Sequence, residues 1–176
     1  MPTFKGKLGG LKKMNTLKIK LDYYAGQVCN VLFPITVDFF KGRGSNICLC
    51  ALSSIELLKT ISKSEIMNKL VIAGRLFSEN KGIDKIIDYC LNNPKIDCII
   101  LCGKDTKGHY PGDALICLLK NGVSEDGRIL GAVAPYPFIN TPKENVKKFK
   151  KQISIIDLRN CFDLNKISNV VNRLCY

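Results

Sequence analysis

The sequence predicts an α/β protein: a doubly wound, mostly parallel sheet of about five strands with helices on both faces, in the Rossmann-like or flavodoxin-like manner. Short apolar runs alternate with segments of helical period from residue 46 onward. One of those runs, Ile96 to Cys102, is nearly unbroken and β-rich, as strands buried on both faces are, and Gly103 ends it. The glycine-rich segment that follows falls where such sheets bind ligands, beyond the carboxyl ends of the strands.

Residues 1–45 differ in style from the rest. Leu17, Ile19 and Leu21 alternate with lysines as in a half-exposed strand, which predicts an N-terminal extension forming a hairpin or edge strands. Lys41-Gly42-Arg43-Gly44-Ser45 is the turn-rich boundary, and the α/β domain occupies residues 46–176. Its first strand, Ile47 to Leu52, leads into a helix opened by Ser53-Ser54-Ile55-Glu56, a spacing that predicts a capping box between Ser53 and Glu56. The second strand is Leu70 to Ala73. The helix after it places Ile83, Ile86, Ile87, Cys90 and Leu91 on one face. Ile96 to Cys102 is the third strand, and the helix after it starts at Pro111 and ends at Asn121-Gly122. Ile129 to Val133 reads as the fourth strand, with Ala134-Pro135-Tyr136-Pro137 as its exit loop and Thr141-Pro142-Lys143-Glu144 opening the next helix. The fifth strand, Ile153 to Leu158, precedes a helix bearing Leu164, Ile167, Val170, Val171 and Leu174.

Composition narrows the class. The 176 residues are 46% hydrophobic and 24% charged, enough for one well-packed domain. The longest apolar stretch, Val28 to Phe40, is broken by Asn30, Pro34, Thr36 and Asp38 and predicts no membrane span. Met1 to Met14 lacks the apolar core of a secretory signal, so a cytoplasmic protein is expected. The nine cysteines (29, 48, 50, 90, 98, 102, 117, 161 and 175) contain no C-x-x-C pair and read as reduced core residues. Cys102 alone sits beside the glycine-rich loop, where a thiol can approach a ligand.

A surplus of 27 Lys+Arg over 15 Asp+Glu gives a net charge of +12, which favours anionic partners. Its densest runs, Lys147 to Lys151 and Lys5 to Lys13, read as solvated surface, and no RNP or zinc-finger pattern accompanies them, so nucleic acid is not expected. Two other classes compete: a nucleotide- or flavin-binding enzyme on the same sheet, and a basic α/β regulatory module that binds a nucleotide or nucleic acid without catalysis. Against the enzyme, no G-x-G-x-x-G follows the first strand and no acid/base pair is evident.

His109, the single histidine, lies in Gly103-Lys104-Asp105-Thr106-Lys107-Gly108-His109-Tyr110-Pro111-Gly112, just before a helix N-terminus. A lone histidine in such a loop is either a hydrogen-bonded structural residue or a ligand. Gly103, Gly108 and Gly112 allow close backbone approach to a large planar molecule, and a metal already held by a macrocycle needs just one protein donor.

Several segments together resemble the A subunit of tetrahydromethanopterin S-methyltransferase: Ala73-Gly74-Arg75-Leu76, Glu79-Asn80, Gly82-Ile83, Asn93-Pro94, Leu101-Cys102-Gly103, Lys107 to Gly112, Asn121-Gly122 and Asp126 to Ala132. The resemblance covers roughly residues 46 to 158, and its G-H-x-P-G core is its most specific part. It implies a corrinoid carrier in methanogen one-carbon metabolism, part of a complex that moves methyl from methyltetrahydromethanopterin to coenzyme M with sodium translocation. It implies His109 as axial ligand to cobalt and cobalamin or a related cobamide, the 5-hydroxybenzimidazolyl form, as cofactor. Methyltransferase subunits or other methyl-donor and methyl-acceptor proteins are the implied partners. The chain stops without the family's membrane anchor, so a soluble paralogue or cytoplasmic domain is expected, reaching a membrane complex only through partners.

Relative to the motif D-x-H-x-x-G, His109 and Gly112 match, but Lys107 stands in place of the aspartate, which removes the usual carboxylate partner. Asp105 is the nearest substitute, with exposure in the loop as the favoured alternative. The expected pocket comprises Ser53, Ser54, Gly74, Arg75, Leu76, Asn80, Gly103, Gly108, His109, Tyr110, Gly112, Pro135 and Pro137. The serines and Asn80 can instead serve as helix caps, and Tyr110 can pack on the domain.

Overall fold

The computed structural model describes residues 39–174, and the expected strand at Leu17, Ile19 and Leu21 lies outside them. In chain order the elements are β1 (Phe40–Lys41), β2 (Ile47–Cys50), α1 (Ile55–Ser62), a 3₁₀ turn (Glu65–Asn68), β3 (Leu70–Gly74) and α2 (Lys81–Leu91). They continue with β4 (Cys98–Gly103), α3 (Pro111–Asn121), α4 (Lys143–Gln152), β5 (Ser154–Arg159) and α5 (Leu164–Leu174). The five strands form one sheet in the order β1-β3-β2-β4-β5. Strands β2 to β5 run parallel, and β1 is antiparallel to β3.

Alternation along the strands divides the core in two. Ile99 and Leu101 of β4 face a layer containing Ile83, Ile87, Leu115, Leu118 and Phe149, which belong to α2, α3 and α4. Cys98, Ile100 and Cys102 face the opposite layer, with Leu58 and Ile61 of α1 and Ile167 and Val171 of α5. Every residue of β2 and β4 is buried, as the unbroken apolar runs require. The chain leaves β2 for β3 over one face and leaves β4 for β5 over the other. The topological switch point therefore falls between β2 and β4, and the loops beyond their carboxyl ends form the expected ligand edge.

The expected strand at Ile129 to Val133 is not formed. Gly127 and Gly131 both hold positive φ, +81° and +82°, which breaks an extended run. What remains is a pair of isolated bridges, Val123 to Ile129 and Arg128 to Phe138. β5 already pairs with β4, and the fifth strand is β1 at the other edge. The expected cap at Thr141 is also rearranged. Its hydroxyl donates to Asp84 Oδ1 at 2.6 Å, and the same carboxylate accepts the Asn140 and Thr141 amides, tying the proline-rich loop to α2.

Candidate functional site

The β4–α3 loop is fixed at both ends before it reaches His109. At its start, Ser53 N and Oγ donate to Lys104 O at 3.1 and 2.7 Å, and Lys104 N donates to Ser54 Oγ at 2.9 Å. These bonds lace the loop after β2 to the loop after β4, directly over the switch point. The capping box is therefore absent: Ser54 occupies the N-cap of α1 without a side-chain cap bond, and Glu56 pairs with Lys59. Gly103 is required here, since a Cβ would lie 2.5 Å from Ser54 Oγ.

Asp105 fixes the far end. Its Oδ1 accepts from Thr106 N and Gly112 N and its Oδ2 from Asp113 N, so it caps α3 from within the preceding loop. Its side chain is 15% exposed, which corrects the expectation of a solvated aspartate and removes it as a partner for His109. Gly112 faces this interior. A Cβ there would meet Asp105 Oδ2 at 2.9 Å, Leu52 Cδ2 at 3.1 Å and Arg159 Cδ at 3.2 Å.

Between these anchors residues 106–110 make a tight turn in which Thr106 O accepts from His109 N and Tyr110 N. Gly108 (φ +87°) and Tyr110 (φ +44°) are left-handed, and Tyr110 forms the N-cap of α3 ahead of Pro111. A Cβ on Gly108 would meet nothing within 4 Å, so the space beside His109 is open. The His109 side chain is 59% exposed, and its Nδ1 lies 3.0 Å from Glu79 Oε2. With the carboxylate as acceptor, Nδ1 is the donating nitrogen of this bond, and in the neutral ring Nε2 is then the acceptor.

Glu79 was not anticipated as this partner. At 3% exposure it is the one buried charged residue among the described residues. The β3–α2 loop turns it inward: Leu76 is buried in the core, Ser78 Oγ accepts from Gly82 N, and Asn80 Oδ1 accepts from Lys81 N as a helix cap. The absent aspartate at position 107 is thus replaced by a carboxylate from the loop after β3. The only sequence signal was an acidic residue between a buried strand and a helix cap.

The other expected residues distribute as follows. Arg75 stacks on Phe77 at 3.7 Å and donates to Ser53 O at 3.3 Å, which ties the loop after β3 to the loop after β2. Gly74 ends β3 beside Phe39. Pro135 is exposed, whereas Pro137 is buried and its carbonyl accepts from Ile129 N. Cys102 is fully buried in the layer opposite α3, with its thiol raised by burial. The seven cysteines among the described residues are all free, and burial pushes the Cys50 thiol up to about 12. No group of three or more His, Cys, Asp or Glu among the described residues could hold a metal ion.

This architecture defines a class: a doubly wound α/β domain that presents one carboxylate-backed imidazole at its switch point. Residues 35–176 match the MtrA family, the A subunit of tetrahydromethanopterin S-methyltransferase, and the chain belongs to that family. The tetrahydromethanopterin S-methyltransferase A subunit of Methanocaldococcus jannaschii is 40% identical over 102 residues, covering 57% of this chain and 42% of that protein. The second A subunit of the same enzyme in Methanothermobacter thermautotrophicus is 35% identical over 99 residues, 55% of this chain and 54% of the relative. A Methanosarcina barkeri protein that carries the name of the A subunit of methyltransferase Mtx is 33% identical over 120 residues, 68% of this chain and 61% of the relative. The chain thus matches about half the length of these relatives. No helix among the described residues is long and apolar enough to cross a membrane.

Proposed function

We propose that this chain is a corrinoid-carrying domain of methanogen methyl transfer, with His109 as the lower axial ligand of a cobamide through Nε2. The observation that carries this reading is the exposed imidazole held at Nδ1 by a buried carboxylate at the switch point of the sheet. The open space at Gly108 suits a bulky ligand beside His109. When bound, the corrinoid supplies a cobalt centre that accepts and gives up a methyl group. Glu79 fixes the tautomer and orientation of the ring and strengthens it as a donor, the usual part of a carboxylate behind a ligating histidine. The anchors at Ser53, Ser54 and Asp105 hold both ends of the loop, leaving residues 106–110 as the turn that would present His109 to the corrinoid. Methyl donor and acceptor come from partner subunits, in keeping with the names of the relatives.

The test is a visible-absorption titration with aquacobinamide, which offers exchangeable axial positions. Wild type is expected to give saturable binding and the spectrum of a nitrogen-ligated cobalt. His109→Ala is expected to lose that spectrum. Because the chain has a single histidine, no other imidazole can substitute. Absence of binding by wild type, or the same spectrum from His109→Ala, would overturn the assignment.

A further inference from the structure

Arg159 closes β5, far along the chain from the histidine motif. Its Nε and Nη2 are taken by Asp157 at 2.9 and 2.8 Å. Nη1 faces two carboxylates from the histidine side of the edge, Asp105 Oδ2 at 3.7 Å and Asp113 Oδ1 at 4.0 Å. The methylene stem of the same residue packs where a Cβ on Gly112 would lie, 3.2 Å from its Cδ. Asp105 in turn holds the amides of Thr106, Gly112 and Asp113, and Thr106 O holds those of His109 and Tyr110. Asp113 adds a further tie by accepting from Val133 N. A chain of contacts therefore runs from the last strand to the imidazole, and both the charge and the stem of one arginine start it.

We propose that Arg159 is a positioning residue for His109, acting through Asp105 to hold the histidine turn in the conformation that lets Nδ1 meet Glu79. The proposal deepens the reading of His109 as a ligand, but it concerns the chain without any cofactor. The charge of Arg159 keeps the Asp105 carboxylate turned toward the amides it caps, and its stem supports Gly112 from beneath. A purely local role, pairing with Asp157 at the sheet edge, would leave the imidazole unaffected.

The single histidine makes this measurable. Long-range proton–nitrogen NMR spectra of the chain labelled with ¹⁵N-histidine contain one imidazole, whose nitrogen shifts report its tautomer. Wild type is expected to show the Nδ1–H form, the minor tautomer of a free imidazole in water. Arg159→Leu, which keeps an apolar stem and removes the charge, is expected to shift the ring several-fold toward Nε2–H. Arg159→Lys restores part of the wild-type ratio, and Asp105→Asn reproduces the loss without adding to it when combined with Arg159→Leu. Arg128→Leu, which removes a stack on Phe138 instead, is expected to leave the ratio unchanged. Spectra are taken below the onset of thermal unfolding of each variant, so that a loss of fold is not read as a change of tautomer.

A wild-type ratio retained in Arg159→Leu overturns the proposal, and so does a wild-type imidazole already distributed as in free solution. Because no corrinoid is present, failure of the aquacobinamide titration overturns the carrier reading alone.

Discussion

Glu79 and His109 pair a carboxylate shielded from water with an imidazole open to it. Glu79→Gln removes the charge while keeping the shape, and loss of a carboxylate behind a ligating histidine typically costs about 10–100-fold in metal affinity. The expected result is an aquacobinamide midpoint shifted by at least the lower figure with the nitrogen-ligated spectrum retained at saturation. Asp157 allows a pH prediction. The Arg159 guanidinium beside it holds its carboxyl below the ordinary value of 3.8. Its folded pKa is lower than its unfolded one, so the pair stabilises fully above the unfolded pKa and less as pH falls through the folded one. Denaturation midpoints of wild type and Arg159→Leu should therefore converge between about pH 5 and pH 2. The raised Cys50 thiol predicts that alkylation of the folded chain at neutral pH spares this residue, which mass spectrometry of modified peptides checks.

At the scale of the β4–α3 element, two glycines on either side of His109 serve opposite needs. Gly108 has an unusual φ and empty surroundings, so Gly108→Ala is expected to cost about 1 kcal/mol from backbone conformation alone. Gly112 has ordinary helical geometry and crowded surroundings, so Gly112→Ala is expected to cost about 1–3 kcal/mol by overpacking. Urea midpoints give both values. Coupling to Arg159 separates the mechanisms: shortening Arg159 should relieve the second variant and not the first. The helices and buried strands were legible because their periods are strong, and Pro111 and Gly122 mark α3 at both ends. The glycine-rich loop was legible as a site, but Gly112 read as a residue for close ligand approach when it packs inward. Sequence spacing does not reveal which side of a backbone is crowded.

Across the molecule, the central strands carry the stability. Ile100 is fully buried in β4, and truncation to Ala is expected to cost about 2–5 kcal/mol in chemical denaturation, with amides of β2 and β4 among the slowest to exchange. The α/β class followed from the alternation of runs, and the parallel order from the buried character of β2 and β4. One strand was misread, because Ile129 to Val133 has strand composition while the positive-φ glycines around it forbid the ladder. The pairing of Glu79 with His109 was out of reach for a related reason. The two residues lie on loops of strands separated in the sheet by β2, and only the folded order brings their side chains together.

The lacing of Ser53 and Ser54 to Lys104 has a consequence for access. Three hydrogen bonds join the loops after β2 and β4, so a molecule that wedged between those loops would have to break these bonds first.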